Sequence, residues 1–192
     1  MLPPFDPEAE PHPFVRRFRK SWEKRFRHTR MEPLFEGVDL GNCLVALGRS
    51  AAAMELLHAL VDPVEFSGNY NVWTPVGCGT TLLARLYRLA GEPDAAAHQM
   101  QRLVRQDYRV PVRAGELEEL LGKHDAELAD ARAETQKWGV HGISRHLMSL
   151  HYFRETATEG FAHSGTYPVD PLEASIRECY AVLAELLGPL DS

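Results

Sequence analysis

Two stretches of sequence decide the fold: LGNCLVALGRSAAAMELLHAL (residues 40–60) and LARLYRLAGEPDAAAHQMQRL (residues 83–103). Both place large apolar, small and glycine residues in the same order, and each matched position recurs 43 residues later. Self-similarity at one offset is the signature of a repeated structural unit. The matched pairs are Leu40/Leu83, Gly41/Ala84, Leu44/Tyr87, Gly48/Gly91, Ala53/Ala96, Leu57/Met100 and Leu60/Leu103.

The repeated pattern predicts a pair of antiparallel helices used twice. Small residues at Gly41/Ala84 and Ala53/Ala96 would let the two helices of each pair approach closely, and the large apolar residues would fill the groove between them. Gly48 and Gly91 would lie where one helix stops and the next begins, since glycine readily adopts the left-handed conformation that ends helices. We therefore expect helical hairpins near residues 38–61 and 80–106.

These residues resemble a tetratricopeptide repeat, in which large apolar, small, aromatic, glycine and alanine positions follow in this order. The second copy is the better match because Tyr87 supplies the aromatic residue. The chain departs from the family in two ways. Gly37 and Thr80 occupy the position at which the family has its opening tryptophan, and the period of this chain is longer than the 34 residues of the family. The resemblance implies a helical-hairpin architecture and a protein-binding function.

The rest of the chain also reads as helical, so we predict an all-α fold of hairpins packed as a short, irregular tetratricopeptide-like bundle. One domain of 192 residues is expected. Its parts are a proline-rich arm (1–13), a basic amphipathic helix (14–30), two repeat-like hairpins (38–106) and C-terminal helices (107–192).

The C-terminal part shows four helical segments, of which the third is marked by the apolar face of Ile143, Leu147, Leu150 and Phe153. Residues 116–121 and 123–138 are predicted to form a short and a longer helix, split near Gly122. The last helix is predicted to begin with Asp170 as N-cap, Pro171 as first helical residue and Glu173 as the reciprocal capping residue. Its buried face would comprise Leu172, Ile176, Tyr180, Leu183 and Leu187, and it would end at Gly188.

Composition narrows the protein class. The three cysteines Cys43, Cys78 and Cys179 are widely spaced, which argues against a disulfide framework and favours buried free thiols. No apolar run approaches the ~20 residues of a membrane helix, and the first residues lack the pattern of a signal peptide. We therefore expect a cytoplasmic protein without a membrane partner.

Charge is unevenly distributed along the chain. Residues 16–30 carry eight basic side chains and one acidic one, so the remaining residues carry a net charge of −13 within a total of −6. Phe14, Phe18, Trp22 and Phe26 recur every fourth residue and form one aromatic stripe on this basic segment. We expect the stripe to dock on the acidic body; the alternative is a nucleic-acid or membrane helix, which the overall charge disfavours.

A partner surface is predicted between the hairpins. Residues 62–79 lengthen the repeat and are rich in glycine, proline and aromatic residues, which suggests an aromatic loop on a rigid scaffold. Large side chains anchor interfaces and charges steer association. The candidate partner-binding residues are Asp62, Glu65, Phe66, Tyr70 and Trp73, with the acidic Glu116, Glu118 and Glu119 as a second surface.

A search for catalytic patterns yields no active site. His141, His146 and His151 are spaced five residues apart, so their side chains diverge around a helix and would not converge on one ion. The residues Gly77–Thr81 precede a helix but lack the lysine of a phosphate-binding loop, and they are interpreted as a glycine hinge. We expect no enzyme activity, no cofactor and no metal.

The prediction for function is a protein-binding module. Size, acidity and the missing catalytic pattern are typical of an immunity protein that binds and neutralises a cognate bacterial toxin, with a basic toxin domain as partner. Two alternatives stay open. One is a metal-dependent hydrolase that uses His151, Glu155 and Glu159, which share a helix face; the other is nucleic-acid or membrane binding through the helix at residues 14–30.

Overall fold

The computed structural model describes residues 10–26, 32–63, 70–105, 115–156 and 169–189, of which 88% are helical. Within these ranges the chain forms nine helices and no strand, so the predicted all-α fold is confirmed. In chain order the helices are α1 (Pro13–Phe26), α2 (Glu32–Ala46), α3 (Ser50–Val61), α4 (Tyr70–Leu89), α5 (Pro93–Arg105), α6 (Glu116–Gly122), α7 (His124–Ala133), α8 (Gln136–Thr156) and α9 (Val169–Leu187).

Both predicted hairpins are present, as α2 with α3 and as α4 with α5. They turn in the same way. Gly48 and Gly91 have positive φ angles of 72° and 79°, and each follows the last turn of a helix. In the first turn the N–H of Arg49 donates to the carbonyl of Leu44, and in the second the N–H of Glu92 donates to that of Tyr87. This 6→1 bond is the mark of a Schellman ending, which glycine permits because it has no Cβ.

The repeated positions form the interior of the hairpins. Leu40, Leu57, Leu83 and Met100 are completely buried, as are the small residues Ala53, Ala84 and Ala96. A Cβ on Gly41 would lie only 3.2 Å from Leu57 Cδ2, so the helices of the first hairpin meet where the sequence places its small residues. The predicted role of the small positions is therefore confirmed in this hairpin.

Helix α2 lies at the centre of the molecule, where it contacts α1, α3, α4, α8 and α9. A single continuous hydrophobic core includes residues from all nine described helices. None of these helices combines the length and the apolar character needed to cross a membrane.

The aromatic stripe of the basic segment docks on this body. Trp22 is fully buried and Phe18 is 9% exposed, while Phe14 packs against Phe18 with 5.7 Å between the ring centroids. Burial of the stripe agrees with docking. Phe26 is the last residue of α1, and its side chain lies outside the described part of the chain, as do residues 27–31.

The end of the proline-rich arm lies against the body. The side chain of Glu10 is buried and pairs with Arg49, and a ring nitrogen of His12 lies 3.2 Å from the carbonyl oxygen of Gly188. Residues 1–9 lie outside the described residues. Helix α1 begins at Pro13, one residue earlier than predicted, because proline fits the first turn of a helix.

The prediction of a loop over residues 62–79 is wrong for its second half. Helix α4 begins at Tyr70 and runs through Pro75, Gly77 and Gly79, so these glycines are not a hinge. A Cβ on Gly79 would lie 2.8 Å from Val61 Cγ1, so this glycine is required for close packing of α4 on α3. Sequence alone cannot separate a glycine needed for space from one needed for a turn.

Two predicted boundaries in the C-terminal part are also wrong. The helix expected over residues 123–138 ends at Ala133, where Glu134 is extended, and α8 begins at Gln136. Helix α9 begins at Val169, which places Asp170 inside its first turn rather than at the cap. Glu173 does not close a capping box, because its carboxylate pairs with Arg85 and Arg154. The ionic partners come from other helices and were invisible in the local pattern.

The buried face predicted for α9 is confirmed. Leu172, Ile176, Leu183 and Leu187 are buried, and Tyr180 packs against the core. The helix ends before Gly188, which has a φ of 77°. The three cysteines are free thiols, as expected: Cys43 and Cys179 are buried and Cys78 is half-buried.

Candidate partner-binding site

A pocket opens between α1, α2 and the first turns of α8. It has a volume of about 270 Å³ and is lined by Phe18, Phe35, Glu36, Asp39, Lys137, Trp138, His141 and Arg145, which we call the Trp138 pocket. Three of its residues bring benzene or indole rings. Trp138 is 59% exposed, whereas Phe18 is buried and Phe35 is half-buried. An exposed tryptophan beside an aromatic cavity is typical of a surface that receives another molecule.

The floor of the pocket is a chain of polar side chains. Asp39 is 1% exposed, and its Oδ2 lies 2.8 Å from Nδ1 of His141. Nε of Arg145 in turn donates to Nε2 of His141 over 3.1 Å. Because the arginine only donates, Nε2 of His141 accepts and Nδ1 carries the proton that Asp39 accepts. The guanidinium group of Arg145 also lies 5.0 Å from the ring centroid of Phe35, in a cation–π contact.

Both ring nitrogens of His141 are hydrogen-bonded in this arrangement. A carboxylate that orients a histidine is the supporting half of many general-base sites, but the base needs a free lone pair directed at substrate. In the Trp138 pocket that lone pair on Nε2 of His141 accepts the bond from Arg145. Asp39, His141 and Arg145 are therefore linked by hydrogen bonds and carry no net charge together, with Oδ1 of Asp39 buried and without a hydrogen-bond partner among the described residues.

A second cavity continues the pocket along α1. It has a volume of about 370 Å³ and is lined by Phe14, Arg17, Phe18, Ser21, Thr135, Gln136 and Lys137. Phe18 and Lys137 line both cavities, so the two form one groove between α1 and the start of α8. The exposed Arg17 and Lys137 are charged groups at its edge. A rigid groove with apolar walls and a charged edge has the composition of a protein interface.

A separate polar network joins α2, α8 and α9 in the interior. Tyr180 donates its hydroxyl hydrogen to Oδ1 of Asn42, and the amide of Asn42 donates to Oγ of Ser144. His151 Nε2 lies 3.0 Å from the Tyr180 hydroxyl. Burial, and then the charge of Arg85, lower the pKa of His151 to about 3, so its ring is neutral. These hydrogen bonds tie the three helices together, while Nδ1 of His151 is buried and has no hydrogen-bond partner among the described residues.

Charged pairs extend this interior network toward α4. The carboxylate of Glu173 pairs with Arg85 and Arg154. Burial works to raise the pKa of Glu173, but hydrogen bonds and charge from the two arginines outweigh it and the pKa is lowered. Glu155 is completely buried and accepts a hydrogen bond of 2.9 Å from Arg88; burial dominates there and raises the pKa of its carboxyl group.

The structure gives only part of the predicted partner surface. Asp62 is exposed and pairs with His58 and Arg102, while Glu65 and Phe66 lie outside the described residues. Tyr70 and Trp73 belong to the first turn of α4, but their side chains are not among those described.

The acidic residues lie apart from that segment in sequence, in the short helix α6. Glu116, Glu118 and Glu119 occupy its first turn, Glu118 is exposed, and Glu119 pairs with Lys123. The assignment of these residues and of the segment at 62–73 to partner binding stays a prediction.

The face suggested for a hydrolase is an interior one. His151 is 2% exposed and bonded to Tyr180, and Glu155 is bonded to Arg88; Glu159 and His163 lie outside the described residues. The expectation that the histidines spaced by five residues diverge is met: His141 faces Asp39, His146 faces His124, and His151 faces Tyr180. Each finds its own partner on a different helix.

The residues of the Trp138 pocket were not singled out from sequence as a site. Trp138 lies in the first turn of α8, before the buried apolar face of this helix, which begins at Val140. The sequence therefore shows Trp138 only as an isolated large aromatic residue. Asp39 and His141 are 102 residues apart in the chain, and no spacing rule connects them. Comparison with family models, with curated proteins and with solved structures found no match to this chain.

Proposed function

We propose that this protein is a protein-binding helical module whose partner inserts an apolar or aromatic side chain into the Trp138 pocket. The observation that carries the proposal is the 59% exposure of Trp138 beside a preformed aromatic cavity. Tryptophan and arginine are enriched among the residues that dominate binding energy, and such residues surround pockets that accept one anchor from the partner.

The shape of the groove supports a side-chain anchor. The Trp138 pocket encloses about 270 Å³ and continues along α1 into the second cavity of about 370 Å³. A groove of this kind accepts a segment of protein with one side chain buried in the pocket. Little reorganisation is needed, because the bonds among Asp39, His141 and Arg145 already hold the floor.

Charge supports a basic partner. Outside residues 16–30 the chain carries a net charge of −13, which would attract a basic domain and speed its association. A toxin domain that acts on nucleic acid would carry basic side chains for the phosphates. We therefore propose an immunity protein that binds such a toxin domain and neutralises it. The Trp138 pocket is the anchor site, and acidic surfaces outside the groove, whose own edge carries Arg17 and Lys137, are the steering elements.

The test is a binding experiment with the product of the adjacent gene, the expected toxin. Isothermal titration calorimetry should show a one-to-one complex, and Trp138→Ala should weaken it by about 2 kcal/mol, which is about 30-fold. Leu89→Ala is the matched control, because Leu89 is 63% exposed but lines neither cavity. Absence of a complex would contradict the proposed function. A complex that Trp138→Ala leaves unchanged would refute the assignment of the anchor site.

A further inference from the structure

Three buried side chains that bind metals in other proteins meet between α7, α8 and α9. They are His124, His146 and Cys179, and one nitrogen or sulfur atom from each lies within 4.8 Å of the other two. Nδ1 of His124 is 2.9 Å from Nε2 of His146, and their rings stack at a centroid distance of 5.2 Å. Among the residues that the structure describes, this is the one group of three such side chains.

Glu178 orients the first of these histidines. Its Oε2 lies 2.9 Å from Nε2 of His124, on the side of the ring away from His146. A carboxylate only accepts, so Nε2 carries the hydrogen and the lone pair of Nδ1 faces His146 and Cys179. Histidine ligands of metals almost always make this second hydrogen bond to a carboxylate or carbonyl group, which sets the tautomer and the ring direction.

Two carboxylates lie beside the group. Glu178 contacts His124, and Glu178 and Glu127 are close enough to Cys179 to act on it electrostatically. A divalent ion bound at the group would be attracted by these carboxylates and would replace the proton of the Cys179 thiol, which is released to solvent.

We propose that His124, His146 and Cys179 form a binding site for Zn²⁺. Two imidazole nitrogens and one thiolate are ligands of borderline softness. Zn²⁺ binds such ligands, whereas Mg²⁺ and Ca²⁺ prefer oxygen ligands. Glu178 acts as a positioning residue through His124, and a water molecule takes the fourth position. The site is distinct from the Trp138 pocket, shares no residue with it and does not depend on the proposed function.

The spacing requires only a small adjustment. Zinc–nitrogen bonds of about 2.0–2.1 Å place two ligand nitrogens roughly 3.3 Å apart at a tetrahedral ion. The two nitrogens of His124 and His146 are hydrogen-bonded at 2.9 Å, and because Nδ1 of His124 accepts, Nε2 of His146 carries the hydrogen. Zinc would replace this hydrogen, the proton would move to Nδ1 of His146, and the two nitrogens would separate by a few tenths of an ångström. Glu178 is 59% exposed in its side chain, which leaves an approach from solvent to an otherwise buried group.

Metal binding would add a further link between three helices that packing, hydrogen bonds and ion pairs already connect. His124 is the first residue of α7, a helix of ten residues, whereas His146 and Cys179 lie within α8 and α9. A ligand that binds the folded state alone stabilises it. The expectation from sequence that the protein holds no metal considered only ligands close together along the chain, and these three are far apart in it.

The experiment begins with protein stripped by a chelator and titrated with zinc alone. One equivalent should bind with a dissociation constant tighter than about 1 μM, and the melting temperature should rise. Cobalt should replace zinc and give the thiolate-to-cobalt absorption in the near ultraviolet together with the visible bands of tetrahedral coordination. The absorption identifies the sulfur ligand without any substitution.

Variants then separate the site from adventitious histidine binding. Cys179→Ser should remove the charge-transfer band and weaken zinc binding by more than about 100-fold, whereas Cys43→Ser, at another buried thiol, should change neither. Glu178→Ala should weaken binding by about 10–100-fold, and Glu178→Gln should restore part of the loss because its amide oxygen still accepts from His124.

Three results would overturn the proposal. They are a failure of wild-type protein to bind zinc below about 100 μM, a cobalt complex without the thiolate band, and equal zinc affinity in wild-type protein and Cys179→Ser. If Cys179→Ser fails to fold, the first two results decide on wild-type protein alone. Binding to the adjacent gene product is measured separately with stripped protein, so failure of one proposal leaves the other unaffected.

Discussion

Helices α3 and α8 bury different kinds of side chain. The buried residues of α3 are all apolar, namely Ala53, Leu56, Leu57, Leu60 and Val61. Helix α8 buries apolar residues as well, but it also buries five polar ones, namely Ser144, His146, His151, Glu155 and Thr156. Helix α1 resembles α3, since its buried described side chains are Val15, Phe18 and Trp22.

The difference shows how two parts of one core are specified. Apolar contacts stabilise by removing surface from water and tolerate many partners, so α1 and α3 need only shape and hydrophobicity. A buried polar group costs free energy unless it is hydrogen-bonded, so α8 is stable only when its partners on α2, α4, α7 and α9 are in place. Helix α8 therefore depends on the rest of the fold more specifically than α3 does.

The largest expected effect is on the apolar side of the comparison. Trp22→Ala should reduce the free energy of unfolding by about 3–5 kcal/mol, because the fully buried indole leaves a cavity under α1. Chemical denaturation measures the change, and Lys20→Ala, at an exposed position of the same helix, is the control. A loss below about 1 kcal/mol would mean that α1 is not docked in solution.

A pH titration tests the polar side. The pKa of His151 in the folded state is lowered to about 3, whereas its unfolded value is near 6.5. Between these values the unfolded chain binds the extra proton, so the histidine's contribution to stability is complete above pH 6.5 and is lost as pH falls toward 3. The loss is up to about 1.4 kcal/mol per pH unit.

His151→Gln isolates this effect from other titrating groups. The variant is expected to be less stable than wild-type protein at pH 7, and the difference should shrink by about 3 kcal/mol at pH 4. Urea unfolding in the presence of a chelator at both pH values provides the measurement. A difference that stays constant with pH would show that His151 titrates in the folded state as it does in water.

Binding experiments compare the Trp138 pocket with the surface predicted from sequence. If the first turn of α4 is the anchor, Tyr70→Ala or Trp73→Ala should weaken the complex by about 2 kcal/mol, and Glu65→Lys should mainly slow association. If the Trp138 pocket is the anchor, these changes should each cost less than about 0.5 kcal/mol while Trp138→Ala costs about 2 kcal/mol. Calorimetry and stopped-flow kinetics at two salt concentrations distinguish the two surfaces.

The smallest effect concerns a single bond between α2 and α8. Ser144→Ala removes the acceptor of the 2.9 Å hydrogen bond from Asn42 and should lower the free energy of unfolding by about 1 kcal/mol. Asn42→Ala should cost more, because it also leaves Tyr180 without its acceptor. Equal stability of both variants and wild-type protein would mean that water replaces these bonds in solution.

The hairpins were predictable from sequence because their determinants are local. Gly48 and Gly91 end helices through their own backbone conformation, and Ala53 and Ala96 occupy the same place in the two copies of the hairpin, 43 residues apart. The stripe of Phe18 and Trp22 likewise follows from four-residue periodicity. In each case the residues that act together lie within a few turns of the same helix or hairpin.

Tertiary structure alone decided which polar residues meet. Asp39 is hydrogen-bonded to His141, and Asn42 is hydrogen-bonded to Tyr180. Glu173 pairs with Arg85 and Arg154 and does not cap α9 as predicted. The same holds for Gly79, whose missing side chain is explained only by the approach of Val61 from α3. Helix periodicity tells which residues share a face, but the identity of the facing residue depends on how whole helices pack, and that packing is set by the sum of many weak apolar contacts.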